Sequence, residues 1–412
     1  MNAHHCRFCK AELRHTFADL GVSPVSNAFL KAEHLDQMEP FYPLHAFVCA
    51  NCFLVQLEEF ESPERIFNSE YAYFSSYSDT WIEHARLYTE SITSRLDLNK
   101  NSFVVEIASN DGYLLQNFVR RGIPALGVEP AANVAAVARD KGIETLADFF
   151  GTKMARDLIR TRRRADLILG NNVLAHVPNL NDFVQGLSIL LNDEGVITME
   201  FPHLLRLIQG NQFDTIYHEH FSYFSLRTVT RVFNAHGLRI FDLERLSTHG
   251  GSLRIYAAHT GSNRWNALPS VTRLMEEERE AGLGGLSGYQ TFSERAREVK
   301  RNLLEFLITA KRDGKSVVGY GAPAKGNTLL NYCGVRTDFI EYTVDRSLHK
   351  QGMFLPGTRI PIYSPSRIFE SKPDYVLILP WNLADEIATQ MSGIRAWGGQ
   401  FVVPIPSLTI LN

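Results

Sequence analysis

The hydrophobic positions of this chain fall into three regimes. Between about residues 102 and 260, short apolar runs alternate with longer mixed segments: "SFVVEI", "PALGVEP", "GIETLADFF", "ADLILGNN" and "GVITMEF" read as strands, and "YLLQNFVRR" and "AANVAAVARDKG" as helices between them. Runs that stay apolar at successive positions belong to strands covered on both faces, and the strand–helix alternation predicts a parallel sheet wrapped in helices. A helix, "LRTVTRVFNAHG", and two strands, "LRIFDLERL" and "SLRIYAAH", come next. The short "STHGG" link makes those two strands an antiparallel hairpin that closes the sheet. A second, smaller alternation starts at "KSVVGYGAPAKGNTLLNYCG" (strand, Gly-rich loop, helix) and continues through "DFIEYTVD", "DYVLILPWN" and "QFVVPIP". The Glu/Arg-rich stretch before it predicts a solvated helical connector. Residues before about 70 show neither pattern.

This divides the chain into a lobe at 1–70, an α/β domain at 71–260, and a connector with a smaller Rossmann-like α/β domain at 261–412. A length of 412 residues suits two or three cores rather than one. A hydrophobic share of 45% and a charged share of 21% are those of an ordinary globular protein, and a net charge of −3 gives no global attraction to nucleic acid or anionic lipid. The opening "MNAHHCRFCK" has no apolar core of a secretory signal, and runs such as "YVLILPW" fall far short of a membrane span, so a cytoplasmic location is expected.

Four of the five cysteines form two pairs, Cys6/Cys9 and Cys49/Cys52. Two residues between thiolates let one tight turn aim both sulfurs at a tetrahedral ion, so two such knuckles complete a four-thiolate zinc shell. His4, His5 and His45 are nearby substitutes. A closed shell leaves no open coordination position, which makes the expected role structural, with about 10 kcal/mol or more of folding free energy supplied by Zn2+. Cys333 reads as a small buried residue.

The loop after the first α/β strand decides the cofactor. A dinucleotide site wants Gly-x-Gly-x-x-Gly there. The chain has Glu106 to Gly112, with Gly112 alone permitting close backbone approach and no glycine cradle for a pyrophosphate. Glu129, ending the second strand, is placed to bond ribose hydroxyls, and Asp148, after the third, to take an adenine amino group. Glu106, Ser109, Asp111 and Asn171 complete the expected cofactor set. Ribose and adenine contacts without a pyrophosphate cradle fit S-adenosylmethionine better than NAD. Together with the closing hairpin, this is the plan of a class I methyltransferase core. In the C-terminal domain, Gly319, Gly321 and Gly326 let backbone N–H groups approach an anion, with Lys325 at the helix start. The plainer alternative is a tight strand–helix turn.

These stretches carry a resemblance over essentially the full length. The Cys-x-x-Cys pairs, "VEIASNDGYLL", "LGVEPAANVAAVARDKGI", "HEHF", "THGGSLRIY" and "SVVGYGAPAKGNTLLNYCG" make the chain similar to S-adenosylmethionine-dependent sugar C-methyltransferases that act on nucleotide-linked 4-keto-deoxysugars. The resemblance implies that His220 is the base that takes a proton beside the ketone, with Glu219 and Tyr217 next to it. His176 matches a second active-site histidine, and Tyr71 the tyrosine of a segment lying over the cofactor. It also implies methylation at C3. His220 suits the task because an imidazole accepts protons near neutrality. His218 reads as structural and His249 as pocket-lining or merely part of a turn. Lys325, Asn327, Lys350, Gln351 and Gly321 are the candidates for the sugar nucleotide. The departure at Ala108–Ser109, where a glycine is usual, bears on the cofactor loop. A monomer is expected, with no nucleic-acid or membrane partner. The rival readings are oxygen or nitrogen methylation, an RNA methyltransferase gripping through "RTRRR" (160–164), and a non-catalytic sugar-nucleotide binder.

Overall fold

The computed structural model describes residues 4–66, 74–77 and 79–411. The central sheet has seven strands: Val104–Ile107, Ala125–Val128, Thr145–Leu146, Ala165–Asn171, Leu191–Pro202, Leu238–Leu246 and Ser252–His259. Taken in chain order, they lie 6-7-5-4-1-2-3 across the sheet. All run parallel except the last, which is antiparallel to both neighbours. The four residues of the first strand are all buried, as the unbroken apolar run requires. The order reverses between the first and fourth strands, and the crevice beyond their carboxyl ends is where such sheets bind ligands. "GIETLADFF" yields only a two-residue strand.

The N-terminal sheet is antiparallel, with His15–Ser23, Tyr42–Val48 and Val55–Gln56 in order. Its fourth strand is Ser222–Tyr223, contributed by the chain immediately after "HEHF". The C-terminal sheet has six strands. Ile362–Tyr363, Thr343–Val344, Val317–Tyr320, Tyr375–Ile378 and Gln400–Val403 are parallel, and Thr409–Leu411 closes the edge antiparallel.

The cores of these sheets are fused. Cys6, Cys49 and Cys52 pack with Phe224, Leu226 and Val229 of the central domain. Phe17 and Leu44 of the N-terminal sheet join Phe292 and Leu303 of the connector and Leu329 of the C-terminal domain. The connector is therefore not a solvated spacer. Its long helix, Phe292–Arg312, buries Phe292, Ala296, Val299, Leu303, Leu307 and Ala310, a stripe at helical spacing, and Phe17 stacks on Phe292 at 4.5 Å. Within the acidic run of the preceding helix, Glu278 is fully buried. It lies 2.7 Å from His203 Nε2 and accepts the N–H groups of Leu226 and Arg227, capping an earlier helix, Leu226–Ala235. No helix among the described residues is long and apolar enough to cross a membrane.

Candidate active site

The segment Asp214–Phe221 is pinned from three directions. From the C-terminal domain, Trp381 Nε1 donates to the Asp214 carboxylate at 2.7 Å and Thr328 Oγ1 to the Ile216 carbonyl at 3.2 Å. From the central sheet, the Ala175 carbonyl accepts the Phe221 N–H at 2.8 Å, and from the N-terminal lobe Leu57 N–H donates to the Phe221 carbonyl at 3.1 Å. The aromatic side chains of this stretch, conspicuous in the sequence, are the packing that lets three lobes meet here. Phe221 is fully buried, and His218 sits among Tyr42, Phe60 and the Pro43 carbonyl of the N-terminal lobe.

His220 is buried, and its Nδ1 lies 3.0 Å from the Thr215 carbonyl. A carbonyl only accepts, so Nδ1 carries the proton and Nε2 keeps its lone pair. Burial, reinforced by neighbouring His176, pushes the His220 pKa well below its ordinary value, so the ring is neutral at pH 7. The His176 ring lies 4.7 Å away edge-on and the Tyr217 ring 4.0 Å away. Burial also takes His176 down to about 4, with the backbone of Glu219 pulling the other way.

The group that orients His220 is the Thr215 carbonyl, not its sequence neighbour Glu219. Both Glu219 oxygens instead accept from Asn27 Nδ2 of the N-terminal lobe, at 2.9 and 2.8 Å. Burial raises the Glu219 pKa to about 7.

These groups wall a cavity of about 560 Å³ at the carboxyl end of the central sheet. His176, Tyr217, Glu219 and His220 line one side, Glu129, Asp148 and Asn171 another, and His249, Lys325 and Lys350 a third. His249 holds a left-handed φ of 53°, and its Nε2 is 3.1 Å from Asn172 Nδ2. Burial takes it to about 4. Glu129 is buried and accepts the N–H groups of Asn110 and Ala131, leaving further lone pairs for a ligand. Glu106 lies beneath the same loop with neither carboxylate oxygen bonded among the described residues. Burial first, then Glu129 and Asp111, raise its pKa well above the usual carboxylate range. Glu106 does not line the cavity, whereas open-sided Glu129 on its wall suits a ligand bearing hydroxyls, as S-adenosylmethionine does.

Other sequence candidates are placed elsewhere. Asp111 is paired with Lys141 at 3.0 Å and hydrogen-bonded to Ser76. A Cβ on Gly112 would lie 2.3 Å from Ile143, so its close approach is to the core rather than to a ligand. Ser109 is buried against Gly127. Asn327 donates to the Ser26 carbonyl at 2.6 Å, Gln351 to the Asp345 carbonyl at 2.9 Å, and Gly321 packs on Pro380. None of these six lines the cavity. Tyr71 lies outside the described residues. Asn27, Trp381 and the Thr215 carbonyl are the contributors that the sequence did not announce.

The four sulfurs of Cys6, Cys9, Cys49 and Cys52 lie within 4.8 Å of one another, with Cys6–Cys52 at 3.6 Å and Cys9–Cys49 at 3.5 Å. A tetrahedral zinc thiolate shell needs sulfurs about 3.8 Å apart at the usual Zn–S bond length, so the set fits Zn2+. The two knuckles are alike: the Lys10 N–H returns to the Cys6 carbonyl and the Phe53 N–H to the Cys49 carbonyl, each residue at a φ of 62°. Gln56 Nε2 donates to Cys6 Sγ at 3.2 Å, while its backbone pairs with Ser222, two residues from His220. Arg7, inside the first knuckle, donates to the carbonyls of Pro178 and Leu57 and lies over the Phe221 ring. The metal lobe thus touches both segments that carry the histidines.

Comparison with known proteins agrees with this geometry. Residues 6–67 match a family model described as a zinc binding domain, residues 81–243 one described as a methyltransferase domain, and residues 247–406 one described as a C-methyltransferase C-terminal domain. C-methyltransferase NovU of Streptomyces niveus is 36% identical over 407 residues, covering 99% of this chain and 96% of the relative. Among solved structures, an S-adenosylmethionine-dependent methyltransferase from Clostridium acetobutylicum aligns over 44% of this chain and 92% of its own, with 11% identity and a TM-score of 0.35. Magnesium protoporphyrin IX methyltransferase from Synechocystis aligns over 48% and 89%, with 15% identity and a TM-score of 0.33. The near-complete match to NovU, set beside the seven-strand core and the four-cysteine lobe, places the chain in the C-methyltransferase family, as an S-adenosylmethionine-dependent enzyme with a zinc-binding lobe.

Proposed function

We propose that the enzyme transfers the methyl group of S-adenosylmethionine to C3 of a nucleotide-linked 4-keto-deoxysugar, with His220 Nε2 removing the C3 proton. The observation that carries this reading is the fixed tautomer of His220: its proton is committed to the Thr215 carbonyl, and its free lone pair belongs to a neutral ring on the cavity wall. Carbon methylation needs such a base, because the methyl acceptor must become carbanion-like before it can attack the sulfonium. A ketone beside the carbon acidifies the proton and takes up the charge as an enolate. A positioned base contributes about 10²–10⁴-fold, and holding the acceptor carbon in line with the methyl group contributes more. In this reading Glu129 takes the ribose hydroxyls, Asp148 the adenine edge, and Lys325 and Lys350 the diphosphate. His176 and Tyr217 are within reach of the enolate oxygen. The arginine run 160–164 makes contacts within the protein surface: Arg162 pairs with Glu144, and Arg163 and Arg164 donate to backbone carbonyls, so these side chains already have partners of their own. A soluble cytoplasmic setting fits this substrate class.

Mass spectrometry of products formed from S-adenosylmethionine and a panel of nucleotide-linked 4-ketohexoses is the direct test. His220→Ala should abolish methyl transfer while S-adenosylmethionine still binds. Substrate in D2O should exchange deuterium at the carbon beside the ketone in a His220-dependent manner. Methylation without any such exchange, undiminished in His220→Ala, would point instead to an oxygen or nitrogen acceptor. The pH dependence follows from the lowered pKa: the base form of His220 is lost only as pH falls well below 6.5, so the acid limb of kcat/KM should lie below that of a free imidazole.

A further inference from the structure

Glu219 is a buried carboxyl on the wall of a binding cavity, and among the described residues no cation forms an ion pair with it. Both of its oxygens accept from the side-chain amide nitrogen of Asn27, 192 residues away in the chain, and the Asn27 backbone also hydrogen-bonds to the carboxyl. The turn that carries Asn27 is itself braced, because Asn327 of the C-terminal domain donates to the carbonyl of Ser26 at 2.6 Å, and Leu30 pairs with Phe354. Asn27 lines the same cavity. A side chain held this firmly, presenting one amide to both oxygens, fixes the plane of the carboxyl group and with it the direction of its remaining lone pairs. A neutral donor also has a different electrostatic effect from a lysine or arginine. It stabilises the carboxylate by hydrogen bonding without full charge, leaving the group able to exchange a proton near neutrality.

We propose that Asn27 is a positioning residue for methyl transfer, supplied by the zinc lobe, which orients Glu219 and sets its proton affinity. This rests on Glu219, on the cavity wall beside His220, meeting the substrate in the proposed reaction, but its first test needs no sugar substrate. Other charged or titratable groups that share the cavity are Lys350 and Lys325 from the C-terminal domain, Tyr113, Glu129, Asp148, His176, Asp182 and His249 from the central one, Glu64 from the N-terminal lobe, and Tyr217 and His220 on the segment of Glu219 itself. Lys350 lowers the Glu219 pKa through space, as Asn27 does by hydrogen bonding, and burial opposes both.

The experiment is a carboxyl 13C NMR titration of full-length, zinc-loaded protein, with Glu219→Gln identifying the signal by its disappearance. Removing the donor in Asn27→Ala should raise the midpoint by about one unit, because a hydrogen bond to the charged form is lost. Asn27→Asp, which keeps the size and serves if the alanine variant folds poorly, should raise it further and split it into two coupled steps, as two carboxyls come to share a proton. Both variants should retain the zinc stoichiometry and S-adenosylmethionine affinity of the parent. In turnover, kcat should fall by about tenfold or more with the KM for S-adenosylmethionine unchanged. An unmoved Glu219 midpoint in folded, zinc-loaded Asn27→Ala and Asn27→Asp overturns the proposal whatever the substrate proves to be. Shifted midpoints with no methylation of any 4-ketohexose would leave Asn27 in its role and remove the sugar assignment instead.

Discussion

Two strand-to-helix turns, one in each α/β domain, adjoin the same cavity. The turn of the central domain, Ala108 to Gly112, has a single glycine, yet Ala108 and Asn110 line the cavity, both with left-handed φ, at 56° and 49°. The turn of the C-terminal domain, Gly319 to Gly326, is rich in glycine, and its glycines face protein. A Cβ on Gly319 would meet Thr343 at 2.7 Å, on Gly321 Pro380 at 2.6 Å, and on Gly326 Leu379 at 2.9 Å. What this second turn offers the cavity is Pro323, Ala324 and a lysine. Lys325 Nζ donates to Asn382 Oδ1 at 2.6 Å and lies 4.5 Å from the centre of the Trp381 ring. Glycine content marks where backbone must pass close to something, and here that something is the neighbouring strand or loop. The ligand-facing chemistry is carried by residues that a glycine motif does not single out.

The sharpest way to break this comparison is to exchange binding effects between the two sides. Lys325→Met should raise the KM for the proposed nucleotide-linked substrate about 100-fold, the scale of losing a partly buried charge-assisted contact, while leaving S-adenosylmethionine affinity intact. Glu129→Ala should do the reverse, weakening S-adenosylmethionine by a comparable factor in calorimetry. If both variants weakened both ligands equally, the two turns would not divide the labour. Gly321→Ala probes the same turn for stability rather than binding. The added methyl must adopt a φ of 90° and meet Pro380, so a loss of about 2 kcal/mol in denaturant unfolding is expected, with substrate KM unchanged in the folded fraction.

The same contrast explains what could be read from the sequence. The zinc ligands and the strands of the central sheet were legible because each depends on local spacing: two residues between thiolates, strands alternating with helices, a link too short for anything but a hairpin. His220 stood out through its motif, but the carbonyl that its ring faces did not, since a backbone carbonyl has no residue signature and Thr215 reads like any turn residue. The partner of Glu219 comes from the far end of the chain. Ser222–Tyr223 is too short a strand to show periodicity, and it completes a sheet whose other strands end at Gln56. Glu278 sits in an acidic run that looks solvated, yet it is the one that turns inward to cap a helix. Asn327 and Gln351 had the right chemistry for a ligand and spend it on backbone carbonyls.

The smallest effect is the most discriminating for the central turn. Ala108 stands where the sequence resemblance led to an expectation of glycine, and a left-handed alanine costs about 1 kcal/mol relative to its ordinary conformations. If this loop needed glycine for close approach of the cofactor, Ala108→Gly would tighten S-adenosylmethionine at least tenfold. If the loop instead works through Glu129 and the amide of Asn110 that it holds, the substitution should change affinity less than threefold. Relief of strain and the extra freedom of glycine in the unfolded chain nearly cancel, so stability should stay within about 1 kcal/mol. Isothermal titration beside thermal unfolding of the same protein separates the two accounts. A tenfold gain in affinity with unchanged melting would mean that Ala108 restrains the cofactor, and the acidic residues would then not be what defines this side of the cavity.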